Sequence, residues 1–261
     1  STNSDISDTI ETAIDTEELS IVIDDSSAVL AGNTTYVDDD ADSSWYNATQ
    51  VKTIQEGVAN STAGDTVYVY NGTYYENVEV DKQLDLIGES RENVIVDGGG
   101  SNVVYVYGVS DVSIDTFTIM NGSYGIYMRS NSNNSITNCN VYDNNYGIYL
   151  RESLNNIITE CNVHDNSRGF YIYRYSDNNN ITNCDVYNNS GYGFYVYNGC
   201  DNNNITNCNI YNNANYGIYF RRATGSNIMD CDSYNNSWGI YLNDASNSDI
   251  TNCNFYNNPG H

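Results

Sequence analysis

The segment Ile136-Thr137-Asn138-Cys139-Asn140-Val141-Tyr142 decides the fold, because the chain repeats it several times. Close copies run from Ile181 to Tyr187, from Ile205 to Tyr211 and from Ile250 to Tyr256. A second phrase, close to Tyr-Gly-Ile-Tyr-Leu, recurs with them. Six cysteines mark the register at intervals of 22, 23, 24, 23 and 22 residues: Cys139, Cys161, Cys184, Cys208, Cys231 and Cys253. Such self-similarity is typical of a solenoid, in which each repeat contacts its neighbours rather than one central core.

Apolar residues alternate in short bursts within each repeat. Val141 follows Cys139 by two residues, and Ile148 and Leu150 flank Tyr149. A period of two indicates β-strands, and the Asn- and Gly-rich segments between the bursts indicate turns. We therefore predict an all-β fold, a right-handed single-stranded parallel β-helix with three short strands in each coil of 22–24 residues. Residues one repeat apart then stack, and one inward column holds Ile126, Ile148, Phe170, Phe194, Ile218 and Ile240.

The first third of the chain carries weaker copies of the repeat. Phe117 lies 22 residues before Cys139 and takes the place of the cysteine. Residues 53–59 form the pattern of a short amphipathic helix, which we expect to cap the first coil and cover its open edge. We predict two parts, an acidic N-terminal segment with strands over residues 1–35 and the β-helix over residues 36–261.

The charge of the chain excludes several classes of partner. Asp and Glu number 34 against nine Lys and Arg, for a formal net charge of −25. Binding to phosphates needs clustered basic residues, so we exclude nucleic acid, and an anionic membrane surface is disfavoured for the same reason. The sequence has no apolar run of about 18 residues, so we expect no membrane span. We expect an exported, extracellular or cell-surface protein whose signal peptide has been removed.

The stretch from Tyr36 to Gly100 resembles the opening segment of NosD-like β-helix proteins. The words that carry the resemblance are Thr53-Ile54-Gln55-Glu56, Gly64-Asp65-Thr66-Val67-Tyr68-Val69, Asn71-Gly72-Thr73-Tyr74-Tyr75-Glu76-Asn77-Val78, Leu86-Ile87-Gly88-Glu89 and Val96-Asp97-Gly98-Gly99. The resemblance implies a β-helix similar to those in surface proteins of methanogenic archaea and in carbohydrate-binding and sugar-hydrolysing repeats. It implies no single activity, since the fold hosts several chemistries, and it transfers no copper-ligand motif.

The cysteine column has two interpretations. Stacked thiols suggest a metal site or disulfides. A ladder, however, projects its side chains in parallel, whereas zinc needs converging ligands and a disulfide needs a particular Cβ geometry. Cysteine is also a small, readily buried side chain. We therefore favour core packing with free thiols, and the state of Cys200, which lies outside the column, stays open.

Tyrosines form outward columns beside the inward ones. One slot is tyrosine in six successive repeats, which predicts an aromatic face: Tyr127, Tyr149, Tyr171, Tyr195, Tyr219 and Tyr241. Such a face holds sugars or another protein, or it only stiffens the solenoid through cross-strand stacking. Two further aromatic columns are interrupted in a single coil, one by His164 and one by Arg168.

That irregular coil supplies the candidate catalytic residues. His164, Asp165 and Arg168 replace the usual Tyr, Asn and Tyr, and Asp143 occupies the slot of Asp165 one coil earlier. Two carboxylates about 5 Å apart are what a retaining glycosidase uses, and a nearby His or Arg tunes their pKa values. Drift in any repeat also produces one irregular coil, so we assign no catalytic residue on the sequence alone.

Two further motifs suggest ligands or modifications at the surface. Asp38, Asp40 and Asp42 alternate as calcium ligands do, although the glycine and terminal glutamate of a full calcium loop are missing. Calcium is the one cofactor that this pattern suggests. Ten Asn-x-Ser/Thr sequons are candidates for glycosylation in an exported protein: Asn33, Asn47, Asn60, Asn71, Asn121, Asn133, Asn180, Asn188, Asn204 and Asn235.

The two ends of the sequence suggest self-association. Apolar residues after the acidic N-terminal stretch have the pattern of strands, and no capping helix follows the last regular coil. A strand of one subunit that covers the last coil of the next gives a head-to-tail contact, which propagates into a filament. The candidate interface residues are Leu19, Ile21, Ile23, Val29, Leu30 and Phe255.

These patterns leave two functional hypotheses. The first is a non-enzymatic extracellular structural protein that assembles with itself, head to tail, into a filament, sheath or coat. The alternative is a carbohydrate-binding or polysaccharide-cleaving β-helix that uses the tyrosine face and the irregular coil. Retention of a glycan and release of reducing sugar discriminate between the two hypotheses.

Overall fold

The protein is a right-handed parallel β-helix of about nine coils, as the repeat predicts. The structure, a computed structural model, describes residues 32–260. Three parallel sheets run along the axis of the solenoid and enclose the hydrophobic core. Among these residues, no helix combines the length and the apolar composition that crossing a membrane requires.

Each regular coil contributes one strand to each sheet. Sheet A contains β1 (Thr34–Val37), β2 (Gln50–Val51), β3 (Asp65–Val69), β6 (Leu84–Gly88), β9 (Ser113–Asp115), β12 (Ser135–Thr137), β15 (Ile157–Thr159), β18 (Asn180–Thr182), β21 (Asn204–Thr206), β24 (Asn227–Met229) and β27 (Asp249–Thr251). Sheet B contains β4 (Gly72–Tyr75), β7 (Val94–Asp97), β10 (Thr118–Met120), β13 (Asn140–Tyr142), β16 (Asn162–His164), β19 (Asp185–Tyr187), β22 (Asn209–Tyr211), β25 (Asp232–Tyr234) and β28 (Asn254–Tyr256). Sheet C contains β5 (Val78–Val80), β8 (Asn102–Tyr107), β11 (Tyr124–Ser132), β14 (Tyr146–Leu154), β17 (Arg168–Tyr173), β20 (Phe194–Tyr197), β23 (Tyr216–Arg221) and β26 (Trp238–Asn243).

Residues one repeat apart pair in register, as expected for coils of nearly constant circumference. Val141 pairs with Val163 in sheet B, and Ile148 pairs with Phe170 in sheet C. Inward side chains are buried and stack into columns, and each fully buried aliphatic side chain contributes about 1.5–3 kcal/mol. The inward column that the sequence predicts is confirmed, with Ile240 partly buried and the others fully buried: Ile126, Ile148, Phe170, Phe194 and Ile218.

The corners of the coils explain why asparagine dominates the sequence. Each regular coil bends at three corners, where one residue adopts the left-handed conformation. Examples are Asn138 (φ 50°), Asp143 (φ 55°) and Asn155 (φ 54°). Asn and Asp tolerate this conformation better than other residues with a Cβ atom, because their short polar side chains bond to the nearby backbone.

A buried asparagine ladder joins the coils at the corner between sheets B and C. The Oδ1 of Asn166 accepts the backbone N–H of Asn144 (2.9 Å) and the side-chain amide of the same residue (3.1 Å). The Nδ2 of Asn166 donates to the carbonyl oxygens of Val141 and His164, both at 2.9 Å. The ladder runs through Asn144, Asn166, Asn189, Asn213 and Asn236. Each amide therefore satisfies polar groups of its own coil and of the preceding coil.

A second ladder occupies the corner between sheets C and A. The Oδ1 of Asn156 accepts both the backbone and side-chain N–H groups of Asn134, each at 3.0 Å. The same pattern continues through Asn179 to Asn203, whose backbone N–H then donates to the Oγ of Ser226 (3.2 Å). Two of the three corners are thus held by buried side-chain hydrogen bonds.

A short helix covers the start of the solenoid, as predicted. This helix, α1 (Ile54–Asn60), begins with a capping box in which Thr53 and Glu56 satisfy each other's backbone N–H groups. The carboxylate of Glu76 accepts the N–H groups of Ile54 (2.8 Å) and Gln55 (2.9 Å), so the next coil also holds the helix N-terminus. The apolar side of the helix is buried in the core.

The β-helix begins earlier than the expected boundary at residues 35 and 36. Thr34 pairs with Thr66 and Thr35 pairs with Val67, so that boundary cuts through β1. The side chain of Thr35 is buried and accepts a hydrogen bond from the Oγ of Ser61 (3.2 Å). Because the buried residue here is polar, the alternation of apolar residues does not reveal the start of the strand.

Replacing Asn166 with alanine is expected to destabilise the solenoid strongly. The change removes the side-chain acceptor of the backbone N–H of Asn144 and the amide donor to the carbonyl oxygens of Val141 and His164. Each buried unsatisfied group costs about 1–3 kcal/mol, so we expect a loss of about 3 kcal/mol or more, measured by denaturant unfolding. The matched control is Asn145→Ala, at the exposed next position of the same corner, which should cost less than about 0.5 kcal/mol. Equal losses in both variants would show that the ladder is dispensable.

Asp65 is expected to make the stability of the first coils depend on pH. Its carboxylate accepts hydrogen bonds from the N–H (2.6 Å) and hydroxyl (2.8 Å) of Thr62 and from the N–H of Asn33 (2.8 Å). The bonds from Thr62, and then that from Asn33, lower the pKa of Asp65 below its ordinary value of 3.8. The stabilisation is therefore complete above that value and is lost as the pH falls through the lowered pKa.

Asp65→Asn should accordingly lower the midpoint of thermal unfolding at pH 7, and the gap to the unchanged protein should narrow at pH 3 and below. Asp244→Asn, at an exposed corner, is the control and should have little effect at either pH. A gap that stays constant from pH 7 to pH 2 would contradict this role of the Asp65 carboxylate.

Candidate functional site

A polar groove runs along the corner between sheets B and C. Its volume is about 660 Å³, and it is lined by Asn121, Asp143, Asn144, Asn145, Asp165, Asn166, Ser167, Asn188 and Ser190. We call it the axial groove. Four successive left-handed corner residues form its exposed wall, from Asn121 (φ 58°) to Asn188 (φ 55°), and the buried asparagine ladder lies beneath them. The groove therefore offers carboxylate, amide and hydroxyl groups at the spacing of the coils, about 4.7–4.9 Å.

Rows of aromatic rings border the axial groove on both sides, because Tyr142 ends β13 just before the corner and Tyr146 begins β14 just after it. The sheet B row consists of rings stacked at centroid distances of 4.7–5.1 Å: Tyr142, His164, Tyr187, Tyr211, Tyr234 and Tyr256. The groove-side row of sheet C consists of Asn102, Tyr124, Tyr146, Arg168, Tyr192, Tyr216 and Trp238. A chain of sugars that follows the groove thus has aromatic edges on both sides.

The structure brings the candidate residues of the irregular coil together at this groove. Asp143 and Asp165 line it on successive coils. The ring of His164 takes the tyrosine slot and stacks between Tyr142 and Tyr187. Its Nδ1 donates to the Oδ2 of Asp165, 2.7 Å away.

Arg168 borders the axial groove from the sheet C side. Its guanidinium lies 4.8 Å from the ring centroid of Tyr146, in the groove-side row, where it makes a cation–π contact. His164 and Arg168 thus fill aromatic slots by stacking, so the solenoid is continuous through the irregular coil.

The two carboxylates lie at equivalent positions of adjacent coils, on one wall of the groove. Tyr142 pairs with His164, so Asp143 and Asp165 follow at equivalent positions one coil apart, about 4.7–4.9 Å. That separation is close to the spacing in retaining glycosidases, whose two carboxylates flank the scissile bond from opposite sides. Here both carboxylates project from one wall in parallel, so they present hydrogen-bond acceptors to the same side of a ligand.

The predicted aromatic face exists as a continuous row of contacting rings, but its rings are less available than expected. The row contains one more member than the sequence predicted, because the ring of Tyr105 lies 5.0 Å from that of Tyr127, tilted by 33°. Centroids of neighbouring rings lie 4.8–5.2 Å apart along the whole row, which we call the tyrosine row: Tyr105, Tyr127, Tyr149, Tyr171, Tyr195, Tyr219 and Tyr241. Tyr149 is only 7% exposed, whereas Tyr241 in the last coil is 38% exposed. Since each ring covers the next, mainly ring edges and hydroxyls remain for a ligand.

Tyr149 and Tyr171 of the tyrosine row keep their hydroxyls protonated. Burial, and then the neighbouring phenols, raise the pKa values of Tyr149 and Tyr171 above the ordinary value of 10.0. At neutral pH these phenols are therefore hydrogen-bond donors as well as acceptors.

The cysteine column packs in the core, as favoured from the sequence. Cys139 to Cys231 are buried, Cys253 is half-buried, and every thiol in the column is free. The thiol of Cys161 donates to the carbonyl of Thr159 (3.3 Å), and the other ladder members repeat this bond. Cys200 is also buried and free, and burial raises its pKa to about 12, so its thiol stays neutral. The thiols therefore act as small core side chains that satisfy corner carbonyls.

The acidic loop of the predicted calcium site brings together a different set of aspartates from the one expected. Among the described residues, the carboxylates that come within 4.8 Å of one another belong to Asp38, Asp39 and Asp40. Asp42 is outside this group, and Asp39 takes its place because the loop brings consecutive residues together. Burial, and then the charges of its two neighbours, raise the pKa of Asp39. Calcium binding stays a prediction.

The glycosylation and interface predictions remain untested. Eight of the ten sequon asparagines are exposed, and Asn180 and Asn204 are half-buried in sheet A. In the last coil, Phe255 is 38% exposed. The other interface residues lie outside the described residues: Leu19, Ile21, Ile23, Val29 and Leu30. Head-to-tail association therefore stays a prediction.

Sequence reasoning missed most of the groove wall. It found Asp143 and Asp165 because they differ from their neighbours in the repeat, but it did not single out Ser167, Ser190 or Asn145 as site residues. These three residues follow the ladder asparagine at the same corner of successive coils. Counting positions from the ladder asparagine along the repeat would have found them.

Solved structures with the same fold include a pectate lyase, a pectin methylesterase and an alginate epimerase. A pectate lyase superimposes with a TM-score of 0.66 at 14% identity, over 85% of this chain and 78% of that chain. A pectin methylesterase in complex with a hexasaccharide superimposes with a TM-score of 0.59 at 14% identity, over 80% of each chain. The periplasmic alginate epimerase superimposes with a TM-score of 0.63 at 14% identity, and this chain spans about half of its length, 54%. At these identities the likeness shows the fold alone. No curated protein matches the sequence.

The sequence profile of the right-handed β-helix region matches residues 87–220 and, in a second overlapping copy, residues 181–261. Together the two matches cover most of the solenoid, including every coil of the axial groove. By repeat, register and profile alike, the chain belongs to the right-handed β-helix family.

Proposed function

We propose that this β-helix is an exported polysaccharide-binding protein that holds a sugar chain lengthwise in the axial groove. The observation that carries the proposal is a polar groove of four coils, with carboxylate, amide and hydroxyl groups on its wall and aromatic rows on both sides. Sugar-binding sites need the same combination, hydrogen-bond partners for hydroxyls beside apolar ring edges for C–H groups.

The direction of the groove also supports a linear polymer. Equivalent groups recur at every coil, so a ligand with a repeating unit meets the same chemistry several times along its length. A small molecule would use only one coil and would gain nothing from the repetition. The solved polysaccharide-acting structures with this fold make a glycan the first class of ligand to test.

The wall geometry supports binding as the activity to test first. Asp143 and Asp165 lie on the same side of the groove, and His164 is committed to its stack and to Asp165. We propose no catalytic residue for this reason. Export is supported by the exposure of most of the sequons. The family match begins at residue 87, so the NosD-like character of residues 36–86 stays a proposal.

The double variant Asp143→Asn, Asp165→Asn should weaken glycan binding about tenfold, because charge-assisted hydrogen bonds are about twice as strong as neutral ones. Asparagine keeps the left-handed corner, so the fold should be unchanged. An array of neutral and acidic polysaccharides identifies a ligand, and calorimetric titration measures its affinity. The matched control is Asp230→Asn, an exposed left-handed aspartate at another corner, which should bind like the unchanged protein.

Two results would overturn the proposal. If the array retains no polysaccharide, the groove is not a glycan site. If the protein releases reducing ends or unsaturated products and Asp165→Asn abolishes this release, the protein is an enzyme, and the wall geometry has been misjudged.

A further inference from the structure

From β8 to β26, the three outward rows of sheet C contain no carboxylate, and Glu152 of β14 lies at their edge, beside Arg151. We call this surface the sheet C face. It consists of the groove-side row, the tyrosine row and a third row at the opposite edge: Tyr107, Arg129, Arg151, Tyr173, Tyr197, Arg221 and Asn243. All three rows hold only aromatic, arginine and asparagine side chains, although the chain carries 34 acidic and nine basic residues. Four of the nine basic residues therefore lie in these three rows.

The arginines of this face are not neutralised by the protein. Among the described residues, no carboxylate oxygen lies within 4.0 Å of a side-chain nitrogen of Arg129, Arg168 or Arg221. Each guanidinium instead lies over the tyrosine ring of the preceding coil, 5.4, 4.8 and 5.1 Å from the respective centroids. The rings hold the guanidinium groups in place and leave their charge available to a ligand.

Two arginines of the third row are stacked on each other. Arg129 pairs in register with Arg151, which places two like charges on adjacent strands. Such pairs are unfavourable unless an anion lies between or beside them. The Nε atoms of both residues are buried without a hydrogen-bond partner, and Glu152, which pairs with Arg174 at 3.2 Å, lies 4.0 Å from Arg151. The pair therefore keeps two positive charges that the protein only partly offsets.

The tyrosine row adds neutral hydrogen-bonding groups beside this charge. Its hydroxyls repeat at each coil, those of Tyr149 and Tyr171 stay protonated, and neighbouring rings contact one another along the row. A linear ligand along the face thus meets hydroxyl groups in the middle of the face and guanidinium groups at its edge. Guanidinium binds carboxylate and sulfate groups through paired hydrogen bonds.

We propose that the sheet C face is a second binding surface, which takes an acidic polysaccharide lying along the axis of the solenoid. Its carboxylate or sulfate groups pair with Arg129, Arg151 and Arg221, and its hydroxyls bond with the tyrosine row. The net charge of −25 repels such a polymer elsewhere, so the face also fixes which side of the protein meets it. This site is separate from the axial groove, whose Asp143 and Asp165 carboxylates disfavour an anionic chain.

The test compares polygalacturonate, which carries carboxylates, and dextran sulfate, which carries sulfates, with neutral dextran. We expect the full chain to bind at least one of the two anionic polymers at least tenfold more tightly than dextran, and to release it as salt is raised. The polymer that binds more tightly identifies the anionic group. The double variant Arg129→Gln, Arg151→Gln should lose at least tenfold in affinity for it.

Three controls keep the result specific. Arg91→Gln removes an arginine outside the face that is already paired with Glu92 (3.2 Å), and it should bind normally. The groove variant Asp143→Asn, Asp165→Asn should also keep its affinity for the anionic polymer. If the double arginine variant fails to fold by circular dichroism, Arg221→Gln carries the same test, with a smaller expected loss of about threefold.

The outcomes separate this proposal from the groove proposal. Equal binding of dextran and both anionic polymers, or unchanged affinity in the arginine variants, overturns the acidic-polysaccharide site while leaving the groove untouched. Equal binding of double-stranded DNA would show an unspecific attraction for polyanions and would also overturn it. Loss of anionic binding in the groove variant but not in the arginine variants would place the ligand in the groove instead.

Discussion

The hydrogen bond from one buried asparagine to the next is the interaction on which the solenoid depends. An amide side chain is both donor and acceptor, so Asn166 can bond to the coil before it and to Asn189 in the coil after it. The ladder stays in register through coils of 22, 23 and 24 residues, so the extra residues are accommodated between ladder positions. An amide out of line would leave buried polar groups without partners, which is costly. The ladders therefore fix the register of the coils, and a fixed register aligns the other side chains into rows.

Alignment into rows has a consequence for function that a single coil does not show. Aromatic rings at one slot stack on one another, so the tyrosine row stabilises the solenoid and loses most of its exposed ring faces. What remains for a ligand is hydroxyls, ring edges, arginines and the corner residues. The corners need Asn or Asp for their left-handed backbone, and the same residues line the axial groove. The demands of the backbone thus supply the polar wall of the site.

Charge is distributed unevenly among the sides of the solenoid. The outward rows of sheet C carry four arginines and no carboxylate between β8 and β26, whereas Asp143 and Asp165 lie at the neighbouring corner. Because one row extends over many coils, a preference for one residue type at one position of the repeat gives a long strip of the same chemistry. Such strips place like groups in parallel on one wall, where an extended ligand can meet several of them.

The sequence by itself determined the fold, the register, the inward columns and the capping helix, because each follows from a repeat period or from a local capping motif in the chain. It also marked Asp143, His164, Asp165 and Arg168 as departures from the repeat. Only the tertiary structure decided that the tyrosine rings cover one another and that Thr34 and Thr35 belong to the first strand. The axial groove and the sheet C face are likewise visible only in three dimensions. The physical reason is that exposure and charge at one position depend on the coils above and below it, which lie 22–24 residues away in the chain and in contact only after folding.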